Sequence, residues 1–262
     1  MSGLFRNLVG RLGCLLARCR ARAAVARQFA AFCAMPGHAG RGLPPHWAGA
    51  RVRTGESEQG FDRHYVLHTG WAARHVARLA PARHVDIASS LYFVAQVSAF
   101  VPVAFHDFRP PDLALPGLEC GRADLGALPF PDASVPSLSC LHVIEHVGLG
   151  RYGDALDPGG DLRAAAELAR VLAPGGTLLV AVPVGRARVE FNLHRVYSCA
   201  QVVALFPGLA LAQFALVPDD PRDGGLLPGA SFALADAQEY GCGCFCFVKP
   251  GEPGNAGGEG GS

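Results

Sequence analysis

The segments LPFPDASVPSLSCLHVIEHV (residues 128–147) and RVLAPGGTLLVAVPVG (residues 170–185) carry the clearest structural pattern of this sequence. In the first, residues 135–143 predict a buried strand that enters a helix. Residues 162–172 then have apolar side chains at helical spacing, and a Pro-Gly-Gly triplet ends that helix. Residues 177–182 predict the next strand. A strand, a helix and a strand in this order predict a βαβ unit of a parallel sheet.

The same alternation continues on both sides of these segments. Asp62 is placed to cap a helix that runs to residue 79. Further strands are predicted at 84–88, 101–106, 118–123, 209–217 and 242–248, and further helices at 91–100 and 198–206. The predicted fold is α/β: a Rossmann-like, doubly wound, mostly parallel seven-stranded sheet with helices on both faces, plus an N-terminal helix.

Composition and charge indicate one globular domain with a basic leader. The chain has 262 residues, of which 50% are hydrophobic and 17% charged, which excludes a disordered or collagen-like protein. Residues 1–55 hold nine arginines and no acidic residue, whereas the rest carries 14 basic and 22 acidic groups, a net of −8. We predict a helix and Pro/Gly-rich linker at 1–55, the domain at 56–249 and a disordered Gly-rich tail at 250–262.

The N-terminal residues predict a basic amphipathic helix, because leucines recur at helical spacing between arginines. Three interpretations stay open for it: an organellar transit peptide, peripheral contact of residues 1–35 with anionic membrane, or a helix packed on its own domain. The apolar run at 91–105 is too short and too interrupted to span a bilayer. We expect a cytoplasmic protein, with or without membrane association.

The nine cysteines predict neither a disulfide framework nor a metal site. No two of them have C-x-x-C spacing, and reduced thiols suit the cytoplasm. Cys242, Cys244 and Cys246 alternate along a predicted strand, so they share one face, where buried cysteine behaves as a small apolar residue. The aspartates at 154, 157 and 161 lack the twelve-residue calcium-loop pattern. We predict no bound metal.

Acidic residues follow three predicted strands. Asp86 ends the first, Asp107 ends the second 21 residues later, and Asp124 follows the third, with Leu125 beside it. In a doubly wound sheet, ligands bind beyond the carboxyl ends of the strands. A carboxylate at Asp107 is placed to accept hydrogen bonds from both hydroxyls of a ribose, and Asp124 with an adjacent amide to contact an adenine edge.

The two opening segments resemble the middle of a class I S-adenosylmethionine-dependent methyltransferase, over about residues 83–217. FDRHYVLHTGWAAR (61–74), HVDIASSLYFV (84–94) and EHVGLGRYGDALDPGGDL (145–162) resemble, more narrowly, an uncharacterised and largely bacterial branch known as a domain of unknown function. The resemblance implies S-adenosylmethionine as the cofactor. It names no substrate.

The resemblance also implies a role for each matching position. Asp86 would orient the methionine amino group of the cofactor, with Ala88 and Ser89 lining the turn against it. Asp107 would bind the ribose hydroxyls, Asp124 and Leu125 would hold adenine, and the backbone near His142 would face the methionine moiety.

The sequence departs from the family pattern D/E-x-G-x-G-x-G in this turn. Ala88 and Ser90 stand where the first two glycines are expected, and Phe93 lies just beyond. Glycine permits positive φ and a close approach of the backbone to a ligand, so the methyl group of Ala88 bears directly on cofactor binding.

Three residues after the fourth strand are the candidates for a general base. His142, Glu145 and His146 have i, i+3 and i+4 spacing, so the start of a helix would bring them onto one face. Because histidine titrates near neutral pH, His146 is the first choice.

Candidate substrate contacts lie in two polar segments. Arg151 and Tyr152 belong to a loop before the helix that begins near residue 160, and Arg151 is suited to grip an anionic group. His194 and Arg195 precede the next helix. On the first helix, His64, Tyr65 and His68 are candidates for a lid over the site or for an exposed face.

The sequence bears on four possible functions. The leading hypothesis is methyl transfer from S-adenosylmethionine to an oxygen or nitrogen of a small or carbohydrate-like acceptor, and this acceptor class rests on the family resemblance alone. The alternative is a non-catalytic module that has lost the cofactor and acts through its basic helix. A nicotinamide enzyme is disfavoured because no G-x-G-x-x-G opens a helix after a strand. Nucleic-acid binding is not expected, because the domain itself is acidic.

Overall fold

The computed structural model describes residues 61–191 and 193–251, together with residues 19–20, 22–24, 26–27, 30 and 33–34. The chain divides into two units, Met1–Gly60 and Phe61–Ser262. The described residues of the first unit are all helical. The leucines of the predicted amphipathic helix, the linker, the boundary at residue 55 and the tail from residue 252 onward lie outside the described residues.

The second unit contains the alternating helices and strands. Its helices are α1 (Arg63–Leu79), α2 (Leu91–Val97), α3 (Gly160–Val171), α4 (Cys199–Leu205) and α5 (Phe232–Asp236). Its strands are β1 (His84–Ile87), β2 (Val103–Asp107), β3 (Leu118–Arg122), β4 (Val135–Leu141), β5 (Leu172–Val184), β6 (Arg188–Glu190), β7 (His194–Val196), β8 (Ala210–Val217), β9 (Leu227–Pro228) and β10 (Gly241–Val248). Short 3-10 turns occur at Ile144–His146 and Pro221–Asp223.

Eight strands form one sheet in the order β3-β2-β1-β4-β5-β10-β8-β9. The five strands from β3 to β5 pair in parallel, whereas β10 runs antiparallel to β5 and β8, and β9 antiparallel to β8. The predicted Rossmann-like, doubly wound α/β fold is thereby confirmed. The predicted number of strands is wrong, because the two-residue β9 joins the sheet edge and β6 pairs with β7 as a separate ribbon. Strands this short show no periodicity in a sequence.

Apolar side chains cover both faces of the sheet. On one face, Trp71 and Val76 of α1 and Phe93 of α2 pack with the three cysteines of β10. The second face packs against α3 and α4, through residues such as Leu168 and Val202. All three β10 cysteines are buried in the first cluster, as their alternation predicts.

Helix α1 follows the signals of its sequence. Asp62 is its N-cap and accepts a hydrogen bond from the backbone N–H of Tyr65 at 3.2 Å. Ala80, with φ of 41°, ends the helix and donates to the carbonyl of Val76. The helix packs against β4, β8 and β10, so its first turn lies beside the end of β4.

The helix predicted directly after β4 is absent from the described residues. His142 has φ of 57°, so the chain leaves the strand through a tight turn and forms only the 3-10 turn Ile144–His146. The next α-helix is α3, which begins at Gly160.

No helix of the described residues combines the length and the apolar character needed to cross a bilayer.

Candidate active site

The carboxyl ends of β1, β2 and β4 meet at one edge of the sheet, since these strands are neighbours and run in parallel. Each is followed by residues that the sequence singled out: Asp86 to Ser89 at β1, Asp107 at β2 and His142 to His146 after β4. This edge is the candidate active site.

Asp86 lies within the protein interior, with 0% of its surface exposed. One carboxylate oxygen accepts from the backbone N–H of Ser89 at 3.0 Å, and the other accepts from the hydroxyl of Ser139. Burial raises the pKa of Asp86 to about 6, although the hydrogen bonds from Ser139 and Ser89 oppose this. Both oxygens of Asp86 are thus engaged within the protein, where they hold the turn after β1 and bind Ser139.

His84 extends this buried network. Its Nε2 lies 2.8 Å from Ser139 Oγ and its Nδ1 lies 2.8 Å from Ser137 Oγ. Because the Ser139 hydroxyl donates to Asp86, the same oxygen accepts from Nε2–H, and Nδ1 accepts from Ser137. Burial lowers the pKa of His84 to about 4, which keeps this imidazole neutral.

Ala88 has φ of 56°, a left-handed conformation that L-residues seldom adopt. Its N–H donates to the carbonyl of His106 at 2.8 Å. Next to it, the hydroxyl of Ser89 accepts from the N–H of Leu141 and ties the turn to β4. The turn therefore has the backbone conformation that a glycine would favour, although alanine occupies it.

Asp107 is only partly buried at the end of β2. Its Oδ1 accepts from the backbone N–H of Arg109 at 2.7 Å. Its Oδ2 has no hydrogen-bond donor within the part of the chain that the structure describes, so it is available to a ligand.

Asp124 is exposed after β3, and its Oδ1 accepts from the N–H of Gly126 at 2.8 Å in a tight turn. Leu125 is partly buried and packs against the core. Asp124 and Leu125 both lie in the connection after β3, the strand that is next to β2 in the sheet.

His142, Glu145 and His146 lie together, as expected, but a shared helical face is not the reason. The Nδ1 of His142 lies 2.9 Å from Glu145 Oε1, and the Nε2 of His146 lies 3.7 Å from the same oxygen. Glu145 is 0% exposed, and its Oε2 has no hydrogen-bond partner among the described residues. Glu145 is therefore a buried carboxylate shared by two imidazoles.

The charge on His142 depends on two neighbours. Burial opposes protonation, but Cys242 and Glu145 outweigh it and raise the pKa of His142 above its ordinary value. Burial also holds the pKa of the Cys242 thiol well above its usual range. Glu145 Oε1 and Cys242 Sγ contact the two ring nitrogens of His142, at 2.9 and 3.3 Å, and are the neighbours that favour its protonation.

His146 has a defined tautomer. Its Nδ1 lies 2.6 Å from the carbonyl oxygen of Leu193, which can only accept, so Nδ1 carries the proton. Its Nε2, which lies 3.7 Å from Glu145 Oε1, is then the nitrogen without a proton. This arrangement suits a general base, because the carboxylate stabilises the imidazolium that proton uptake creates.

The predicted substrate contacts occupy different environments. Tyr152 is exposed, and its ring lies edge-on to His146, with the ring centroids 5.7 Å apart. Arg151 lies over the Tyr152 ring and donates to the carbonyl of Leu193 at 3.2 Å. His194 is half-buried, with its ring centroid 6.3 Å from that of His146.

Arg195, in contrast, is buried and engaged within the protein. It donates to the carbonyls of Val147 at 2.7 Å and Pro158 at 3.2 Å, and its Nε lies 3.4 Å from Asp161 Oδ2. These contacts connect the turn after β4 to the start of α3.

The three aspartates at 154, 157 and 161 are each bound to protein donors. Asp154 accepts from backbone N–H groups of the 148–152 loop, including that of Gly148 at 2.8 Å. Asp157 pairs with Arg163, and Asp161 accepts from Tyr197. They thus shape the loop that carries Arg151 and Tyr152.

Four further residues join the site. His64 and His68 are among the residues that the sequence indicated as a lid or as an exposed face, and the exposed face is wrong for His68, which is buried. Tyr240 and Cys242 were not expected there. His64 and His68 of α1 contact the ring of His142, at centroid distances of 5.6 and 4.8 Å. Tyr240 stacks on His64 at 5.1 Å, and Cys242 lies 3.3 Å from His142 Nε2. Burial lowers the pKa of His64 to about 4 and that of His68 well below its usual range. Tyr240 and Cys242 carry no signal that connects them with His142, because both lie far from it in the chain.

The edge fits S-adenosylmethionine at two positions. Asp107 presents a free carboxylate oxygen where a ribose would need one, and the turn at Ala88 keeps the positive φ that allows a ligand to approach the backbone. The feature that argues against cofactor binding is the methyl group of Ala88, which a glycine would lack.

Residues 135–221, from β4 to the second 3-10 turn, match the model of a family described as "Caenorhabditis protein of unknown function, DUF268". The resemblance to a domain of unknown function is thus confirmed over this segment. No curated protein matches the sequence.

Solved structures with the same architecture include three at low identity. The 1,6-didemethyltoxoflavin-N1-methyltransferase of Burkholderia thailandensis, solved with S-adenosylhomocysteine, has a TM-score of 0.51 at 14% identity, covering 70% of this chain and 78% of its own. A proposed sarcosine dimethylglycine methyltransferase from Galdieria sulphuraria has 0.50 at 14% identity, covering 71% and 86%. The [4+2]-cyclase SpnF has 0.50 at 15% identity, covering 70% and 80%.

At such identities the likeness concerns the fold. The strand order and the helices on both faces of the sheet agree with it. The chain therefore has the Rossmann-like fold of the S-adenosylmethionine-dependent methyltransferases, with a central segment similar to a family of unknown function.

Proposed function

We propose that the protein transfers a methyl group from S-adenosylmethionine to an oxygen, or a nitrogen, of a small or carbohydrate-like acceptor. The observation that carries the proposal is Asp107, a partly exposed carboxylate with a free oxygen at the end of β2 in a methyltransferase-like sheet. A carboxylate at this point of a doubly wound sheet is suited to the two hydroxyls of a ribose.

The residues of this chain would hold the cofactor along the strand ends. Asp107 accepts from the ribose, Asp124 and Leu125 border the adenine, and the Ala88–Ser89 turn supports the methionine end. Asp86 positions that turn through the N–H of Ser89. When bound, S-adenosylmethionine supplies an electrophilic methyl group on a sulfonium.

His146 is the residue best placed to take the acceptor's proton. Its Nδ1–H is held by Leu193, so Nε2 is the basic nitrogen, and Glu145 lies 3.7 Å from Nε2 to stabilise the charge. Tyr152 and His194 flank His146, and Arg151 offers a cation to an anionic acceptor. Positioning of the acceptor by these groups would supply much of the rate.

A non-catalytic role is the second candidate, and Ala88 is the observation that favours it. A methyl group in the cofactor turn is a feature expected after loss of cofactor binding. Similarity to a protein named as a [4+2]-cyclase also means that the fold by itself does not establish methyl transfer.

The experiment is a transfer assay with S-adenosylmethionine labelled in its methyl group and a panel of hydroxyl and amine acceptors that includes sugars. We expect label in a hydroxyl acceptor. His146→Gln should lower kcat by about 10²–10⁴-fold with cofactor affinity unchanged, as for loss of a general base. His75→Gln, which alters a histidine packed on Trp71 of α1, is the matched control and should retain activity.

Two results would contradict the proposal. One is a cofactor-bound protein that labels none of the hydroxyl or amine acceptors. The other, which concerns the base alone, is a His146→Gln variant as active as the wild type.

A further inference from the structure

Three side chains from distant parts of the chain converge within the candidate active site. His64 lies in the first turn of α1, His142 directly follows β4, and Cys242 lies at the start of β10. Each offers one ligand atom, and these atoms all lie within 4.8 Å of one another. His142 and Cys242 are buried, and His64 is partly exposed.

We propose that His64, His142 and Cys242 form a binding site for a divalent transition-metal ion, with zinc as the best match. Imidazole and thiolate are the ligands that zinc prefers, whereas magnesium and calcium require oxygen ligands. The site goes beyond methyl transfer and does not depend on it.

The distances are close to those of a zinc site. Metal–nitrogen and metal–sulfur bond lengths place tetrahedral ligand atoms about 3.4–3.6 Å apart. The pair formed by His142 Nε2 and Cys242 Sγ, at 3.3 Å, is already near this value. His64 needs to approach by about 1 Å at most.

Glu145 gives His142 the orientation that metal ligands have. The second ring nitrogen of a ligating histidine usually donates to a carboxylate, which fixes the ring and strengthens the ligand. Here His142 Nδ1 lies 2.9 Å from Glu145 Oε1, so Nε2 is the nitrogen that faces Cys242 and His64. The Glu145 carboxylate and the Cys242 thiolate together balance the charge of a divalent cation.

His68 is a second, independent sign of a ligand at this place. It is 0% exposed, and neither of its ring nitrogens has a hydrogen-bond partner among the described residues. Its ring centroid lies 4.8 Å from that of His142. His64 and His68 are four residues apart on α1, the spacing at which two helical histidines share one metal-binding face.

Binding would displace protons and leave a coordination position open. The Cys242 thiol must release its proton to solvent before its sulfur coordinates the metal, and a protonated His142 must likewise release the proton on Nε2. Three protein ligands leave a fourth position for water, another side chain or an acceptor molecule. The prediction of no metal rested on the spacing of the cysteines and of the aspartates at 154, 157 and 161, whereas the histidines of this site come from residues far from Cys242 in the sequence.

The test uses the full chain, reduced and freed of metal by chelation, and Co²⁺ as a spectroscopic probe. We expect one equivalent of Co²⁺ to give a thiolate-to-cobalt charge-transfer band and the visible bands of a four-coordinate site, and Zn²⁺ to displace it. Cys242→Ser should abolish the charge-transfer band. Cys246→Ser, which changes a buried cysteine on the same face of β10, should retain it.

Two further variants guard against misfolding as an explanation. His64→Gln alters a partly exposed residue and should weaken Zn²⁺ binding while leaving the circular dichroism spectrum of the metal-free protein unchanged. Glu145→Gln should weaken it about 10–100-fold, the usual cost of losing a carboxylate behind a ligating histidine. The proposal is overturned if the wild type binds no stoichiometric Co²⁺ or Zn²⁺, or if folded Cys242→Ser and Cys246→Ser give the same cobalt spectrum.

Discussion

Ala88 combines a strained backbone conformation with a position in the proposed cofactor turn. Its φ of 56° places a Cβ in a region that L-residues occupy at a cost of about 1–2 kcal/mol. Ala133 has almost the same φ, 54°, but lies before β4, away from the carboxyl edge. The two alanines therefore form a matched pair that separates strain from ligand contact.

We expect Ala88→Gly and Ala133→Gly each to raise the free energy of unfolding by up to about 1 kcal/mol, since glycine relieves the strain but adds entropy to the unfolded chain. Only Ala88→Gly should also tighten S-adenosylmethionine, severalfold, because only that methyl group lies in the cofactor turn. Chemical denaturation and calorimetric titration measure the two effects. Equal cofactor affinities in both variants would exclude Ala88 from the cofactor site.

Asp86 makes stability depend on pH. Its folded-state pKa is about 6, against an ordinary 3.8, because burial disfavours the carboxylate. The folded state therefore holds a proton that the unfolded state has lost, so stability falls as the pH rises from about 4 to 6. The shift corresponds to about 3 kcal/mol.

Asp86→Asn should remove this dependence, because an amide does not titrate. Between pH 4 and pH 7, the free energy of unfolding of the wild type should fall by about 3 kcal/mol relative to that of the variant. Asp112→Asn, at an exposed position, should follow the wild type. A constant difference for Asp86→Asn would mean that Asp86 is already charged at pH 4.

At the scale of elements, the sequence predicts the structure where a signal is local. Helix α1 begins after its capping Asp62, as expected, and the regular strands appear within a few residues of their predicted bounds. The helix expected after β4 does not form, because the positive φ of His142 turns the chain there. The residue types around His142 do not indicate that turn. The strands β6, β7 and β9 are too short to produce a pattern.

In the candidate site, too, the sequence predicts the contacts that have a local signal and misses those that depend on distant residues. The strand-end carboxylates were predictable because parallel strands present their ends at one edge. The contact between His142 and Glu145 was predicted from helical spacing, and it occurs through a 3-10 turn instead. The contact of His142 with Cys242, 100 residues away, was not predictable, because it depends on the antiparallel insertion of β10 beside β5.

The basic N-terminal segment leads to a prediction that the described residues do not test. We propose that residues 1–35 contact anionic membrane, because each arginine near such a surface contributes about 1 kcal/mol. In flotation with the full chain, binding to vesicles should require anionic lipid and weaken with salt.

Arg11 and Arg18 supply the matched variants for this prediction. Replacing both by glutamine should lower vesicle binding, whereas replacing Arg74 and Arg78, exposed on α1, should leave it unchanged. Binding that ignores lipid charge, or that both double variants lower equally, would contradict a role for the leader.

For the whole molecule, the near-neutral charge hides two regions of opposite net charge. The second region is acidic, and its strand-end carboxylates face the edge at which a cationic, ribose-bearing cofactor would bind. The first carries nine of the arginines. Net charge alone would have suggested no such division.

Calorimetric titration of the full chain with S-adenosylmethionine tests the central claim, that this edge binds the cofactor. We predict saturable binding at one site in the wild type. Asp107→Ala should weaken it by about 100-fold or more, because two hydrogen bonds to a charged group are lost. Asp132→Asn, an exposed acid remote from the edge, should bind as the wild type does. No binding by the wild type at millimolar cofactor, or equal binding by Asp107→Ala, would contradict the account.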